Sequence, residues 1–156
     1  MEKGETCSFF GHRDITVTDA LRKAVCNEIA NALHAGCRIF LFGGFGAFDD
    51  FCYQTVTDIQ KQNPKLHIQR VFCVTQERIL RKKQKYFNNG DYEDIVYLTP
   101  AFTGWYKSIY FRNLAMIDNS VYVIFYTSDR KNSGSYKAYR YAIKQKGKSI
   151  VNLYGS

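Results

Sequence analysis

Gly43-Gly44-Phe45-Gly46, following the apolar run Ile39-Phe40-Leu41-Phe42 and preceding Asp49-Asp50, is the segment whose residue types and spacing point most directly to chemistry. A strand that stops at glycines before a helix leaves backbone N–H groups pointing outward at a helix N-terminus, where a phosphate binds without a dedicated side chain. The spacing is not the dinucleotide fingerprint G-x-G-x-x-G, because the third glycine position holds Asp49, and no P-loop lysine follows. Glycine lets a ligand approach the main chain closely, although a tight turn with no ligand would use the same residues. Asp49 has two readings, N-cap of the following helix or acceptor for ribose hydroxyls.

Two other clusters are suited to an anion. In Gly11-His12-Arg13-Asp14 the planar fork of Arg13 matches two phosphate oxygens, and His12 can donate a hydrogen bond or transfer a proton; the alternative is a surface turn with an Arg13–Asp14 ion pair. Ser133-Gly134-Ser135 precedes a helix expected from about Tyr136, so it either forms a second anion site or simply caps that helix. Arg112 and Asn113 lie on the preceding helix, and Arg112 either reaches the sheet edge or is solvated. A pair of carboxylates flanking a glycosidic bond could support cleavage through an oxocarbenium-like state; the candidates are Asp14, Asp49, Asp50 and Asp129, with Asp49 and Asp50 foremost. The three histidines, His12, His34 and His67, are scattered and give no convincing Ser-His-Asp order. The five cysteines have no zinc spacing, and Cys7, Cys37 and Cys73 read as small buried hydrophobes in a reducing compartment.

The elements that would position these residues alternate. Strands are expected at 6–10, 38–42, 68–74, 94–98, 120–126 and 149–153. Helices are expected at 18–35, capped by Thr18 or Asp19 and stopped by Gly36, and at 49–62, 76–90, 105–117 and 136–145. This alternation implies an α/β fold, a Rossmann-like three-layer sandwich with a mainly parallel sheet flanked by helices, formed by a single domain over 1–156. Ligands of such sheets bind beyond the carboxyl ends of the strands, an edge shared by the loops 11–14, 43–49 and 127–135.

Composition is consistent with this. The chain has 156 residues, 46% hydrophobic and 23% charged, enough for one full core. The formal net charge of +8 favours anionic partners, with basic residues concentrated at 78–85 and 130–148; a solvated face would use the same charges. The 12 Tyr and 12 Phe serve either core packing or base stacking. No signal peptide or membrane span is evident, so a cytoplasmic protein without a membrane partner is expected.

The ordered set Phe9-Phe10-Gly11-His12-Arg13, Phe42-Gly43-Gly44-Phe45-Gly46 with Asp49, Arg112-Asn113, Asp129, Ser133-Gly134-Ser135 and Lys148-Ser149-Ile150-Val151-Asn152-Leu153 resembles the SLOG superfamily. That superfamily is named for the Smf/DprA and LOG proteins, and the likeness is to its small bacterial and phage YpsA-like branch. The resemblance implies a Rossmann-like domain with a pocket for a nucleotide derivative at the strand ends. Its members include phosphoribohydrolases, a DNA-uptake protein that binds single strands, and sensor domains in phage defence. The implied pocket positions are Gly11, His12, Arg13, Gly43, Gly44, Gly46, Asp49, Arg112, Ser133, Gly134 and Ser135. The hydrolase signature P-G-G-x-G-T-x-x-E is not matched: no proline precedes Gly43-Gly44, position 47 is Ala, the acidic residue is Asp49 or Asp50, and the catalytic glutamate is missing.

The leading expectation is binding of a nucleotide derivative, ADP-ribose-like or a nucleoside phosphate, for sensing or sequestration. Its phosphates would lie on the amides of 43–46 and 133–135 with Arg13, and Phe45, Phe48 or Trp105 would cover the base. The alternative is an N-glycoside hydrolase acting on nucleoside monophosphates. The third is a single-stranded nucleic-acid binder using residues 78–85. No cofactor and no metal are expected, and the chain is expected to form a homo-oligomer.

Overall fold

The computed structural model describes residues 1–44, 46–76, 90–98 and 107–155. Six strands form one sheet: β1 (Thr6–Gly11), β2 (Ile39–Phe42), β3 (Gln69–Cys73), β4 (Asp94–Val96), β5 (Tyr122–Tyr126) and β6 (Ser149–Asn152). Their order is β4-β3-β2-β1-β5-β6, and every neighbouring pair is parallel. This is the α/β architecture that the alternation implied.

Four helices are described: α1 (Asp19–His34), α2 (Ala47–Gln62), α3 (Ser108–Asp118) and α4 (Gly134–Ala142). Thr18 Oγ1 accepts the Leu21 amide at 3.1 Å and starts α1, which buries Leu21, Val25, Ile29 and Ala32 along one stripe. α1 and α2 cover one face of the sheet, where Val25, Ile29, Phe48 and Val56 pack with Phe9, Phe40 and Phe42. α3 and α4 cover the other, where Met116, Ile117 and Ala138 pack with Leu41, Val71 and Phe125. Strands covered on both faces must be apolar on both, which is why β2 and β5 read as near-continuous hydrophobic runs.

β1 lies at the centre of the site-forming geometry. The chain leaves it towards β2 on one side, and β5 pairs with it on the other. Crossovers in opposite directions open a crevice at the carboxyl end of the strand where the order reverses.

Some boundaries differ from expectation. α2 begins at Ala47 rather than Asp49, because Gly46 is its N-cap. α4 begins at Gly134 rather than Tyr136, because Ser133 is its N-cap. The helix expected over 76–90 falls almost wholly outside the described residues, as do the basic stretch 78–85, Phe45 and Trp105. Cys7, Cys37, Cys52 and Cys73 are buried and Cys26 is exposed. No helix among the described residues is long and apolar enough to cross a membrane.

Candidate functional site

A cleft of about 380 Å³ opens beyond the carboxyl end of β1. The β1 loop contributes Gly11, His12, Arg13 and Asp14, and the β2–α2 connection contributes Gly43 and Asp49. α3 supplies Ile109, Arg112 and Asn113, while Arg130 and Asn132–Ser135 close the far side. The three loops expected at one edge therefore meet around one cavity. Gly44, Gly46 and Asp50 are not among its lining residues.

The glycine bend is not an open anion cradle. Asp49 is 7% exposed, and its Oδ1 accepts the Gly43 amide at 3.3 Å while its Oδ2 accepts the Gly44 amide at 2.8 Å. The Ala47 amide donates to the Arg13 carbonyl at 2.8 Å. The expectation that the amides of 43–46 hold a phosphate is thus corrected for Gly43 and Gly44, whose donors are taken by the chain's own carboxylate. Asp49 is not the N-cap either. It is the third residue of α2 and reaches back past the N-cap Gly46 to the Gly43 and Gly44 amides. Burial raises its pKa to about 6, against the lowering effect of the two amides and of the Arg112 charge.

The glycines are explained by crowding from this chain's own side chains. A Cβ at position 43 would lie 2.6 Å from Arg112 Nη2, and one at position 44, where φ is +76°, would lie 2.3 Å from the Phe72 ring. Close approach is the reason for glycine here, as the sequence suggested, but the approaching groups belong to the protein. Arg112 is 5% exposed; its Nη1 donates to the Gly43 carbonyl at 3.0 Å and its Nη2 to Asn113 Oδ1 at 3.0 Å. It reaches the sheet edge as a buried support beneath the bend rather than as a solvated cation.

His12 fastens the opposite wall. The Ser128 amide donates to His12 Nε2 at 2.9 Å, so the proton of the neutral ring sits on Nδ1, which donates to Ser135 Oγ at 3.2 Å. Ser135 Oγ donates in turn to Thr127 Oγ1 at 3.0 Å, and Thr127 Oγ1 donates to the Ser128 carbonyl at 3.0 Å. Burial, followed by the charge of Arg130, lowers the His12 pKa. In this arrangement His12 does not activate Ser135: the ring nitrogen that could act as base is occupied, and the serine proton points to Thr127. His12 holds the loops after β1 and β5 together.

Donors remain at the start of α4. Ser133 Oγ takes the Tyr136 amide at 3.1 Å and the Ser133 carbonyl takes the Lys137 amide at 3.1 Å. The first-turn amides of Gly134 and Ser135 are left without intrahelical acceptors, at the wall of the cleft. Arg130 and Asp14 approach to 4.0 Å with side chains 63% and 84% exposed, a pair too solvated to contribute much.

Of the other expected participants, Phe48 is a core residue rather than a base platform. It is fully buried and stacks on Tyr126 with centroids 5.8 Å apart. Asp50 is exposed and outside the cleft lining, so Asp49 and Asp50 do not flank one cavity. Asn113, named in sequence beside Arg112, and Asn132, within the expected loop 127–135, line the cleft without having been singled out as ligand-binding, and the anchoring roles of Thr127 and Ser128 were missed. The polar run 127–135 after an apolar strand was the available signal.

These features define a Rossmann-like α/β domain with a polar cleft at its topological switch point. No protein-family profile matches the chain, and no curated protein sequence matches it. Among solved structures it is similar to DNA processing protein A (DprA) from Streptococcus pneumoniae, with a TM-score of 0.57 and 14% identity, covering 96% of this chain and 50% of that one. It is likewise similar to DNA processing protein A from Helicobacter pylori, described with its single-stranded DNA binding mode, with a TM-score of 0.57 and 19% identity over 96% of this chain and 65% of that one. The chain thus spans half to about two thirds of those proteins. Identities this low show a shared fold, the one that the Smf/DprA side of the sequence resemblance implied.

Proposed function

We propose that the cleft binds a nucleoside phosphate or a related nucleotide derivative, with its phosphate against the Gly134 and Ser135 amides. The observation that carries this reading is the convergence of those two amides with Arg13 and Arg130 over the end of β1. The phosphate site is at α4 alone, since Asp49 occupies the Gly43 and Gly44 amides. Asp49 retains acceptor capacity on the cleft wall for ribose hydroxyls. The cavity, about 380 Å³, is of the size that small-molecule sites have. Membership of the small YpsA-like branch, with sensing or sequestration as the role, belongs to the same reading.

Thermal denaturation with AMP, ADP-ribose and inorganic phosphate tests it. A ligand at 100 times its dissociation constant stabilises the fold by about 2.7 kcal/mol. For a domain of this size that raises Tm by roughly 5–10 °C. No shift with any nucleotide at millimolar concentration counts against the cleft as a nucleotide site.

A second reading is single-stranded nucleic-acid binding. It is supported by the printed description of the Helicobacter pylori protein and by the net charge of +8.

A further inference from the structure

A second hollow, about 840 Å³, is lined by residues on and beside α3 and α4 and shares none of them with the β1 cleft. Five cations line it: Lys107, Lys131, Lys137, Arg140 and Lys144. Four aromatic rings lie among them: Tyr110, Phe111, Tyr136 and Tyr141. None of its lining residues among the described residues is acidic. The acid at its margin, Asp118, accepts from Tyr141 Oη at 2.7 Å and from Gln145 Nε2 at 3.2 Å.

The pattern is written into the helices. Tyr136 and Arg140 form one row at four-residue spacing on α4 and Lys137 and Tyr141 a second, while Lys144 follows two residues beyond that helix and Lys107 is the N-cap of α3, four residues before Phe111. Arg140 lies over the Tyr136 ring, 5.9 Å from its centroid. Tyr110 and Phe111 are each 39% exposed, with their rings 5.4 Å apart. Two adjacent large rings, each more than a third exposed, thus lie beside these cations.

We infer that this groove binds single-stranded nucleic acid, its rings stacking on bases and its cations following the phosphate backbone. The inference rests on the second reading above and gives it a surface separate from residues 78–85. The interleaving decides the occupant. A single strand offers unstacked bases to rings and phosphates to cations at the same time. A duplex hides its base faces, and an acidic peptide uses the cations but leaves the rings without partners.

Fluorescence anisotropy of a labelled mixed-sequence 12-mer, titrated with the full chain at several salt concentrations, tests the groove. Binding is expected to fall with salt at a log–log slope of about −3. The Tyr110→Ala/Phe111→Ala double variant is expected to weaken it at least about fivefold, whereas Tyr110→Phe, which keeps a ring, retains it. Lys137→Gln/Lys144→Gln, at two exposed positions, provides a variant without loss of packing and is expected to flatten the slope by about one. If the 12-mer binds and neither double variant changes affinity or slope, the groove is overturned while the second reading survives on another surface. If no binding occurs at low salt, both fall. If duplex DNA or polyglutamate binds as tightly as the single strand, the rings have no role and the inference is overturned.

Discussion

The guanidinium of Arg112 occupies the space that a side chain at Gly43 would need. Its Nη1 donates to the Gly43 carbonyl at 3.0 Å, and a Cβ on Gly43 would lie 2.6 Å from its Nη2. Arg112 is 5% exposed, so relief by swinging into solvent would empty a buried site. Gly43→Ala is expected to cost roughly 1–3 kcal/mol, measured by guanidinium chloride unfolding. In an Arg112→Ala background the same substitution is expected to cost less than half as much. Equal costs in both backgrounds would contradict the contact.

Asp49 gives the fold a pH dependence of defined sign. Its folded-state pKa, about 6, lies above the ordinary carboxylate value of 3.8. The folded state therefore binds this proton more tightly than the unfolded state, and the Asp49 contribution to stability falls as pH rises through that window. Relative to Asp49→Asn, the unsubstituted chain is expected to lose on the order of 3 kcal/mol between pH 4 and pH 7. Unfolding free energies of both proteins across that range measure this. A constant difference would show that the carboxyl is not desolvated.

His12 is expected to be a neutral Nδ1–H tautomer at pH 7, because the Ser128 amide occupies Nε2. Burial lowers its pKa below the ordinary 6.5, so it stays uncharged further into the acid range than an exposed histidine. Ring ¹⁵N shifts across a pH titration report both properties. An Nε2–H tautomer, or a charged ring at pH 6.5, would contradict the hydrogen-bond chain through Ser135.

The ligand reading yields a substitution that removes one donor and leaves the helix. Gly134 is the first residue of α4, where proline is favoured, and a Cβ there meets nothing within 4 Å. Ser133 before it is extended, at φ −78° and ψ 143°, as a residue preceding proline should be. Gly134→Pro is therefore expected to leave stability unchanged or raise it by up to about 1 kcal/mol. It is also expected to weaken AMP binding about tenfold or more by deleting one charge-assisted hydrogen bond, as read by calorimetry. Unchanged affinity would remove the α4 amides from the site.

Much of the fold was legible because its signals are local. Apolar runs mark the doubly covered strands, Thr18 and Gly36 bracket α1, and alternation sets the parallel topology that brings three loops to one edge. The interior of the site depends on contacts that no local pattern encodes. Arg112 meets Gly43 across 69 residues and His12 meets Ser135 across 123. Of the two readings of Asp49, six residues from Gly43, the N-cap reading fails, because Gly46 is the N-cap of α2 and the Asp49 side chain reaches back to the Gly43 amide instead. The glycines signalled close approach correctly, yet sequence does not say whether a ligand or an arginine does the approaching. The α3–α4 groove required knowing which faces of two helices oppose each other.

The most direct measurement is an amide ¹H–¹⁵N titration of the full chain with AMP. The expected result is saturable shifts at Gly134 and Ser135, accompanied by Arg13 and Arg130, with the α3–α4 groove unaffected. Absent shifts at millimolar AMP, or shifts confined to Tyr110, Phe111, Lys137 and Arg140, would contradict a nucleotide site in the cleft.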